Sequence, residues 1–468
     1  MDAITKKINQ AMTSFDVPGL GLVILTKDKS KFKTFGTSNL STGEKITNDS
    51  LWQICSISKN ITATATAWLT NSSDTHEEES KRVTFDTKIN TGTTINIPFQ
   101  SKVVNNNLNV RDCLSHTSGI SGTLEGEIGG VAMSYGYSKK FFYKSIVHYP
   151  TERFRSKFEY SNNMFTLGFN RVAVGLNSKM EEQLKLFFKR AGMTHTITNF
   201  KEISKNPSRV TSYDSNLCPT SPFNGTQFVA AGGIASTLTD LSTFVRLHLN
   251  GGDGWIDNIS DIYEPVVRSG FPNGKFYGMG TAIDTINNET VLFHPGAFIT
   301  GLSHMCLYSV KYQIGIVILT NSFNPIPIPL AYYIYIILRG KSKKIANCVY
   351  NKTLVQSVAA VNDYNCDQIE RSGTCTTTLF DGQFYNNQNG SLDVWEGYLK
   401  IGKLKSVPYT YDGKRIHFVI TNINRTDLPG YGELVWDIPD VCNGVTEKTV
   451  VAINTFIGCD GTMYDKIS

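Results

Sequence analysis

The sequence lacks a hydrophobic run long enough to cross a membrane. Its most apolar segment, residues 326–338, contains two prolines and is shorter than the ~20 residues that a membrane helix needs. The first residues, MDAITKKINQAM, lack the apolar core of a signal peptide. The sequence therefore predicts no transmembrane segment.

An excess of charge of one sign is also missing. The 45 basic and 40 acidic residues leave a net charge of +5 over 468 residues, and no basic stripe alternates with aromatic side chains. Cys-x-x-Cys pairs and Cys/His clusters, which bind zinc, do not occur. We therefore expect no nucleic-acid partner, no metal and no other cofactor.

The cysteines favour an extracellular compartment, whereas the missing apolar core of a signal peptide favours the cytoplasm. The chain has nine, and five of them lie after residue 347, a crowding typical of disulfide-bonded extracellular modules. We expect either a secreted or lumenal protein whose signal peptide is absent from this sequence, or a cytoplasmic protein. In the secreted case Cys366, Cys375, Cys442 and Cys459 should be oxidised, although their spacing does not determine how they pair.

The composition is that of a folded protein with a sizeable core, since 40% of the residues are hydrophobic and 18% are charged. Hydrophobic periodicity distinguishes helices from strands in the first 340 residues. We predict helices over residues 4–15, 51–69, 241–249 and 329–338. We predict strands over residues 20–26, 32–36, 291–293, 302–308 and 313–319.

The character of the sequence changes after Arg339. A short basic linker, residues 340–344, is followed by a region in which β-branched and aromatic residues alternate with Gly, Asn and Asp turns. Regular short strands of this kind are typical of a small β-barrel or sandwich. We therefore predict two domains, residues 1–344 and 345–468.

A candidate nucleophile lies in the segment Ser56-Ile57-Ser58-Lys59. Residues three apart share one face of a helix, so the Ser56 hydroxyl can lie beside the Lys59 amine. A serine hydroxyl is a poor nucleophile unless a base accepts its proton, and a neutral lysine can do so. Alone the motif is weak, because most S-x-x-K segments are surface helix turns, and a second copy occurs at residues 30–33.

Two further motifs follow in order, YSN at residues 160–162 and HPG at residues 294–296. With S-x-x-K at Ser56, they resemble the serine β-lactamase and penicillin-binding-protein superfamily, which carries S-x-x-K, then Y-x-N, then K-T-G or H-x-G. The sequence is most similar to class C β-lactamases and to β-lactamase-like esterases and D-aminopeptidases. The segments RDCLSHTSGI and AGGIASTLTDL resemble the family's LLTHTSGL and AGGLxSTxxDL.

The resemblance implies a fold for about residues 1–340. This is an α/β fold of the α+β type, in which an antiparallel sheet packs against a helical subdomain and Ser56 lies in the cleft. The region after residue 345 resembles, more loosely, the lipocalin-like all-β barrel that is often appended to such hydrolases.

The resemblance also implies roles for individual residues. Ser56 would be the acylated nucleophile, and Lys59 and Tyr160 would share the handling of its proton. Tyrosine needs cations nearby to act as a base at neutral pH, and Lys59 supplies one. Asn162 would orient the acyl-amide group of a substrate. His294 would be a second partner of the site when protonated or donating.

The oxyanion hole would combine the backbone N–H groups of Ser56 and Ala297. Gly296 would let the strand backbone come close to the substrate. His116, in the segment LSHTSG, is more often a structural hydrogen-bonding residue than a catalytic one in such a position. Asp240 is expected to cap a helix, and Cys55 to be a small buried apolar residue.

One departure from the family pattern affects the expected substrate. Pro295 stands where the family often carries threonine, and it lacks both a hydroxyl and a backbone N–H with which to contact a carboxylate. We therefore expect a serine hydrolase that cleaves an ester or amide of a small molecule or peptide, with hydrolysis of β-lactams in doubt. The alternatives are a non-catalytic binding or scaffold protein of this fold, or an acyltransferase.

Overall fold

A computed structural model describes residues 3–71, 83–91, 97–99, 101–120, 153–214, 216–271, 274–286, 288–298 and 301–364. It also describes the backbone of nine strands between residues 382 and 466. Within these residues Cys55, Cys113, Cys218, Cys306 and Cys348 are free thiols. The four cysteines expected to be oxidised in a secreted protein lie outside the described residues.

The centre of the fold is an antiparallel sheet of nine strands in the order β3-β2-β1-β13-β12-β11-β10-β9-β8. Its members are β1 (Gly19–Thr26), β2 (Lys29–Asn39), β3 (Glu44–Lys45), β8 (Val267–Arg268), β9 (Phe276–Tyr277), β10 (Ala282–Ile286), β11 (Glu289–Phe298), β12 (Leu302–Ser309) and β13 (Ile314–Thr320). Four short strands form two separate pairs, β4 (Trp52–Gln53) with β7 (Ala235–Ser236), and β5 (Ser212–Tyr213) with β6 (Pro219–Thr220). The predicted strands of the first 340 residues all lie in the large sheet.

Helices cover both faces of the large sheet. The α-helices of the described residues are α1 (Ala3–Ser14), α2 (Ile57–Asn71), α3 (Lys102–Asn107), α4 (Val110–Leu114), α5 (Asn162–Gly175), α6 (Met180–Ala191), α7 (Phe200–Lys205), α8 (Leu238–Leu249), α9 (Pro327–Leu338) and α10 (Lys343–Tyr364). Because side chains alternate along a strand, Leu22 of β1 packs with α1 and α9, whereas Val23 packs with the helical subdomain. The α+β architecture expected from the sequence is therefore present.

Helix α2 passes through the core of the helical subdomain, although it is rich in threonine. The hydroxyls of Thr64, Thr66 and Thr70 each donate to the carbonyl oxygen four residues earlier at 2.8 Å. These bonds satisfy the buried hydroxyls within the helix itself, so threonine can alternate with fully buried alanines there.

The predicted helix over residues 51–69 starts too early. Trp52 and Gln53 form strand β4, and Cys55 adopts a left-handed backbone with φ 50°. Such a conformation cannot continue a right-handed helix, so α2 begins at Ile57. The other predicted helices of this region agree with the structure within a few residues, as in α8, which begins at Leu238 rather than at residue 241.

The predicted domain boundary between residues 344 and 345 stays a prediction. Helix α10 crosses it, and Ala346 and Tyr350 are buried against α9. Nine more strands follow, with bounds Gly382–Asn386, Gly390–Trp395, Tyr398–Ile401, Leu404–Lys405, Thr410–Tyr411, Arg415–Ile420, Gly432–Asp437, Thr455–Gly458 and Met463–Lys466. They form one antiparallel sheet, and the resemblance of this region to lipocalins also stays a prediction. Among the described residues, no helix is both long and apolar enough to span a bilayer.

Candidate active site

Ser56 lies in the turn that joins β4 to α2. The left-handed backbone of Cys55 directs the chain into the helix, and Lys59 N–H donates to the Ser56 carbonyl at 3.0 Å to close the first turn. One helical turn then brings Lys59 Nζ to 3.2 Å from Ser56 Oγ. The hydroxyl is partly accessible, whereas Lys59 is fully buried. Cys55 is buried as well, and burial raises the pKa of its thiol.

Lys59 connects three distant parts of the chain. Besides Ser56, its ammonium donates to Asn162 Oδ1 at 2.5 Å and to the carbonyl oxygen of Ala231 at 2.8 Å. An ammonium group carries three protons, and each of these three oxygens of the described residues can accept one. This arrangement satisfies a buried cation, whose burial would otherwise be costly.

Tyr160 completes the surroundings of the serine. Its hydroxyl lies 2.7 Å from Ser56 Oγ, and Lys59 Nζ lies 4.6 Å from the centroid of its ring. Ser56 Oγ is therefore contacted by both groups that are expected to handle its proton.

The His116 ring packs against the Tyr160 ring. Its ring lies 4.4 Å from the Tyr160 ring, and its Nδ1 accepts a hydrogen bond from Ser161 N–H at 3.1 Å. Burial, with the charge of Lys59 as a smaller cause, holds the pKa of His116 well below its usual value, so the ring is neutral. These contacts are those of a structural hydrogen-bonding residue, and the absence of a catalytic role stays a prediction.

Asn162 is the first residue of α5, and Ser161 caps that helix. Because the Asn162 side-chain oxygen accepts from Lys59, its amide nitrogen is the group that could face a substrate carbonyl. The proposed contact with substrate stays a prediction.

Both ring nitrogens of His294 take part in hydrogen bonds. Its Nδ1 lies 2.7 Å from the carbonyl oxygen of Pro295, which can only accept, so Nδ1 carries the proton. Nε2 then accepts from the Tyr277 hydroxyl at 3.0 Å. Burial, with a smaller effect of the Lys59 charge, lowers the pKa of His294 to about 3, so the ring is neutral near pH 7. Among the described residues, its hydrogen bonds go to Tyr277 and to Pro295 of its own strand, and its expected role as a second partner of the site stays a prediction.

Gly296 allows two backbones to approach each other closely. A Cβ atom at this position would lie 2.5 Å from the carbonyl oxygen of Ile54 and 3.3 Å from the backbone nitrogen of Ile57. The glycine therefore lets strand β11 pack directly against the turn that carries Ser56, and its expected approach to a substrate stays a prediction.

Ala297 lies at an open edge of the sheet. The Thr290 carbonyl faces β12, where it accepts from the Ser309 hydroxyl at 3.1 Å, so odd-numbered residues of β11 direct their N–H and C=O groups to the other edge. In the described part of the chain, β10 pairs with that edge only as far as Phe293. The N–H of the exposed Ala297 therefore points to an edge that no described strand covers, where Pro295 has no N–H to offer.

Gln53 and His304 hold the segment that leads to Ser56, and neither belongs to a recognisable sequence motif. Gln53 is buried, and its side-chain amide pairs with the backbone of Phe223, accepting from N–H at 2.9 Å and donating to C=O at 2.6 Å. The Nε2 atom of His304 lies 2.9 Å from the Gln53 carbonyl oxygen, while its Nδ1 accepts from Thr320 N–H at 3.3 Å.

Asp240, expected as a helix cap, instead accepts from the backbone N–H of His195 at 2.8 Å.

The geometry around Ser56 is suited to acyl transfer. A hydroxyl in contact with an amine and a phenol can lose its proton as it attacks a carbonyl carbon. Within the described residues, no group of three or more His, Cys, Asp or Glu side chains could hold a metal ion.

The sequence matches the Beta-lactamase family profile over residues 4–339. The chain belongs to this family. A search of curated proteins found no match. Three solved structures are similar to this Beta-lactamase family chain in fold.

The first is an octameric penicillin-binding protein homologue from Pyrococcus abyssi, with 17% identity and a TM-score of 0.64, covering 99% of this chain and 100% of its own. The second is a class C β-lactamase from Rhodobacter sphaeroides, with 15% identity and a TM-score of 0.56, covering 77% of this chain and 100% of its own. The third is a β-lactamase/D-alanine carboxypeptidase from Pseudomonas syringae, with 16% identity and a TM-score of 0.55, covering 75% of this chain and 97% of its own. At these identities the likeness concerns the fold alone.

Proposed function

We propose that this Beta-lactamase family protein is a serine hydrolase that cleaves an ester or amide bond through an acyl-enzyme on Ser56. The observation that carries the proposal is the double contact of Ser56 Oγ, at 3.2 Å from Lys59 Nζ and 2.7 Å from the Tyr160 hydroxyl. Both contacts are within the reach required of a general base and its nucleophile.

The proton of Ser56 passes to the Lys59–Tyr160 pair as Oγ attacks the carbonyl carbon. A positive charge on Lys59 favours the phenolate form of Tyr160, which makes the pair a base. The pair then gives a proton to the leaving alcohol or amine when the bond to the carbonyl carbon breaks. A water molecule repeats the sequence on the acyl-enzyme and releases the acid.

The negative charge that develops on the carbonyl oxygen needs donors on the opposite side. We assign this role to the backbone N–H groups of Ser56, at the start of α2, and of Ala297, at the open edge of β11. Removing one such donor typically lowers kcat about 10²–10³-fold.

The proposed substrate is a small molecule or peptide that bears no carboxylate near the scissile bond. Pro295 supplies neither a hydroxyl nor an N–H on the edge that Ala297 shares. His294 is neutral near pH 7, because burial lowers its pKa to about 3, and so it adds no positive charge. Short-chain esters and uncharged amides suit this environment better than β-lactams do.

The test is intact-protein mass spectrometry after exposure to a fluorophosphonate and to a penicillin, with turnover of p-nitrophenyl esters measured in parallel. We expect one fluorophosphonate adduct and ester turnover in the native protein, and neither in Ser56→Ala. The matched control is Ser30→Ala, which alters the other S-x-x-K segment, on strand β2. Labelling that survives in Ser56→Ala would move the nucleophile elsewhere, and labelling without hydrolysis would favour an acyltransferase.

A further inference from the structure

Two phenylalanines form a contact at one end of the site. The rings of Phe223 and Phe298 lie 4.3 Å apart between centroids, and both side chains are partly accessible. Phe298 follows Gly296 by two residues on β11, so its side chain lies on the same face of the sheet. Gly296 packs on the backbone of Ile54 and Ile57, so this face is the one that meets the Ser56 turn.

The backbone of Phe223 is fixed to strand β4, which leads into that turn. Both backbone hydrogen-bonding groups of Phe223 pair with the Gln53 side chain, at 2.9 Å and 2.6 Å. Gln53 is 7% exposed and lies three residues before Ser56. A paired amide of this kind holds both position and orientation, so the Phe223–Phe298 pair has a defined place relative to the nucleophile.

A different set of aromatic residues lies at the Tyr160 end. The Phe271 ring lies 5.8 Å from that of Tyr160 and 5.7 Å from that of His294. Phe158 lies 5.8 Å from Phe271. The site is thus bordered by one aromatic cluster beside Tyr160 and by another beside Gln53.

Acyl transfer to Ser56 assigns different parts of the substrate to the two ends of the site. The leaving group must receive its proton from the Lys59–Tyr160 pair, so it lies on the Tyr160 side when the bond breaks. With the carbonyl oxygen directed to the N–H groups of Ser56 and Ala297, the acyl substituent must extend away from Tyr160. Along β11, Phe298 lies four residues beyond His294, whose ring contacts Phe271 of the Tyr160 cluster, so the strand carries the Phe223–Phe298 pair away from Tyr160.

We infer that Phe223 and Phe298 bind the acyl group of the substrate, that Gln53 is the positioning residue of this subsite, and that the preferred acyl groups are apolar chains or rings larger than acetyl. This inference rests on the proposed function, because it needs an acyl-enzyme on Ser56. Partly accessible aromatic rings can bury an alkyl chain or stack against an aromatic acyl group. Each methylene that is buried should raise kcat/KM by about fourfold.

The experiment uses p-nitrophenyl acetate, butyrate, hexanoate and phenylacetate, which differ in the acyl group and share one leaving group. In the native protein, kcat/KM should rise from acetate to hexanoate and phenylacetate. Phe298→Ala should lower the ratio of hexanoate to acetate at least tenfold. Gln53→Leu, which keeps the volume and removes both hydrogen bonds to Phe223, should lower the same ratio with most of the change in KM.

A second series of acetate esters varies the alcohol. The matched variant is Phe271→Ala, which should change the preference among alcohols and leave the hexanoate-to-acetate ratio within threefold. Gln53→Glu keeps the acceptor for Phe223 N–H and loses the donor, so its acyl selectivity should lie between the native protein and Gln53→Leu. Thermal unfolding of each variant verifies that it is folded.

The outcomes separate the two proposals. Ester turnover that persists in Ser56→Ala overturns the proposed function and this inference with it. Turnover that requires Ser56, combined with a Phe298→Ala variant that lowers all esters alike or alters the alcohol series, overturns the acyl subsite alone.

Discussion

A methyl group on Gly296 would lie 2.5 Å from the carbonyl oxygen of Ile54, so the bare Cα of strand β11 rests directly on the turn that leads to Ser56. The contact is between two backbones, neither of which can rotate away as a side chain would. The position of Ser56 relative to the open edge of β11 therefore depends on the absence of one methyl group.

Gly296→Ala should lower both stability and the rate of acylation. The strand or the turn must shift to remove the clash, and overpacking of this kind typically costs about 1–3 kcal/mol. Fluorophosphonate labelling should slow at least tenfold and Tm should fall. The control is Gly232→Ala, because a Cβ there would meet nothing nearer than a Cys55 backbone carbon at 4.0 Å. Native labelling rates in Gly296→Ala would contradict the prediction.

Lys59→Met and Tyr160→Phe should each lower kcat/KM by about 10²–10⁴-fold for every ester, because each acylation requires the serine proton to leave. Lys59→Met should also destabilise the protein, since Asn162 Oδ1 and the Ala231 carbonyl each lose a donor. Steady-state kinetics and urea unfolding measure the two effects. The control is Lys33→Met, the lysine of the second S-x-x-K segment. Losses confined to some esters would contradict a shared proton-handling role.

Pro295→Thr should narrow the gap between esters and β-lactams. The native protein should turn over short-chain p-nitrophenyl esters faster than nitrocefin, because Pro295 offers no hydrogen bond to a carboxylate. Threonine would supply a hydroxyl and an N–H on the open edge of β11. The ratio of kcat/KM for p-nitrophenyl acetate to that for nitrocefin measures the gap. A native protein that prefers nitrocefin to every tested ester would reject the ester proposal.

Acid should destabilise the folded protein through its buried histidines. Burial lowers the pKa of His248 and His294 to about 3 and that of His304 to about 4, from an ordinary value of 6.5. Below pH 6.5 the unfolded chain therefore binds protons that the folded state does not, and the free energy of unfolding falls as the pH falls. Each such histidine contributes a slope of up to about 1.4 kcal/mol per pH unit, down to its folded pKa.

Urea unfolding at intervals between pH 7 and pH 4.5 measures this slope. His248→Gln should make the slope shallower, because it removes one buried titrating ring. His195→Gln, which replaces a largely exposed ring, is the control. A stability that is constant from pH 6.5 to pH 4.5 would contradict the expectation.

Much of the fold was predictable, because local patterns dictate it. Strand β1 is a continuous apolar run that lies within the sheet between β2 and β13, and α9 follows a proline-containing start at Pro327. The juxtaposition of Ser56 and Lys59 follows from helical spacing, which is a local property. The start of α2 was misplaced, because the left-handed backbone of Cys55 leaves no mark in the residue type.

The remaining features of the site depend on contacts between distant segments. Gln53 meets Phe223 across 170 residues, and neither residue belongs to a recognisable motif. The orientation of the His294 ring depends on Tyr277, whose hydroxyl donates a hydrogen bond to the Nε2 atom of that ring. Pattern and resemblance identify which residues occur in a site, whereas the direction in which a ring faces is decided by the neighbours that the fold brings to it.

The position of β1 in the sheet has a consequence for biosynthesis. Its partner β13 pairs Leu20 with Thr320, about 300 residues later in the chain. At a ribosomal rate of about 5–20 residues per second, roughly 15–60 s pass between the synthesis of the two strands. During that interval the apolar segment GLGLVILT has β2 as a neighbour but lacks the strand that covers its other edge. The nascent chain therefore lacks the last partner of this apolar strand until residue 320 has been made, and an unpaired apolar strand edge is prone to aggregation.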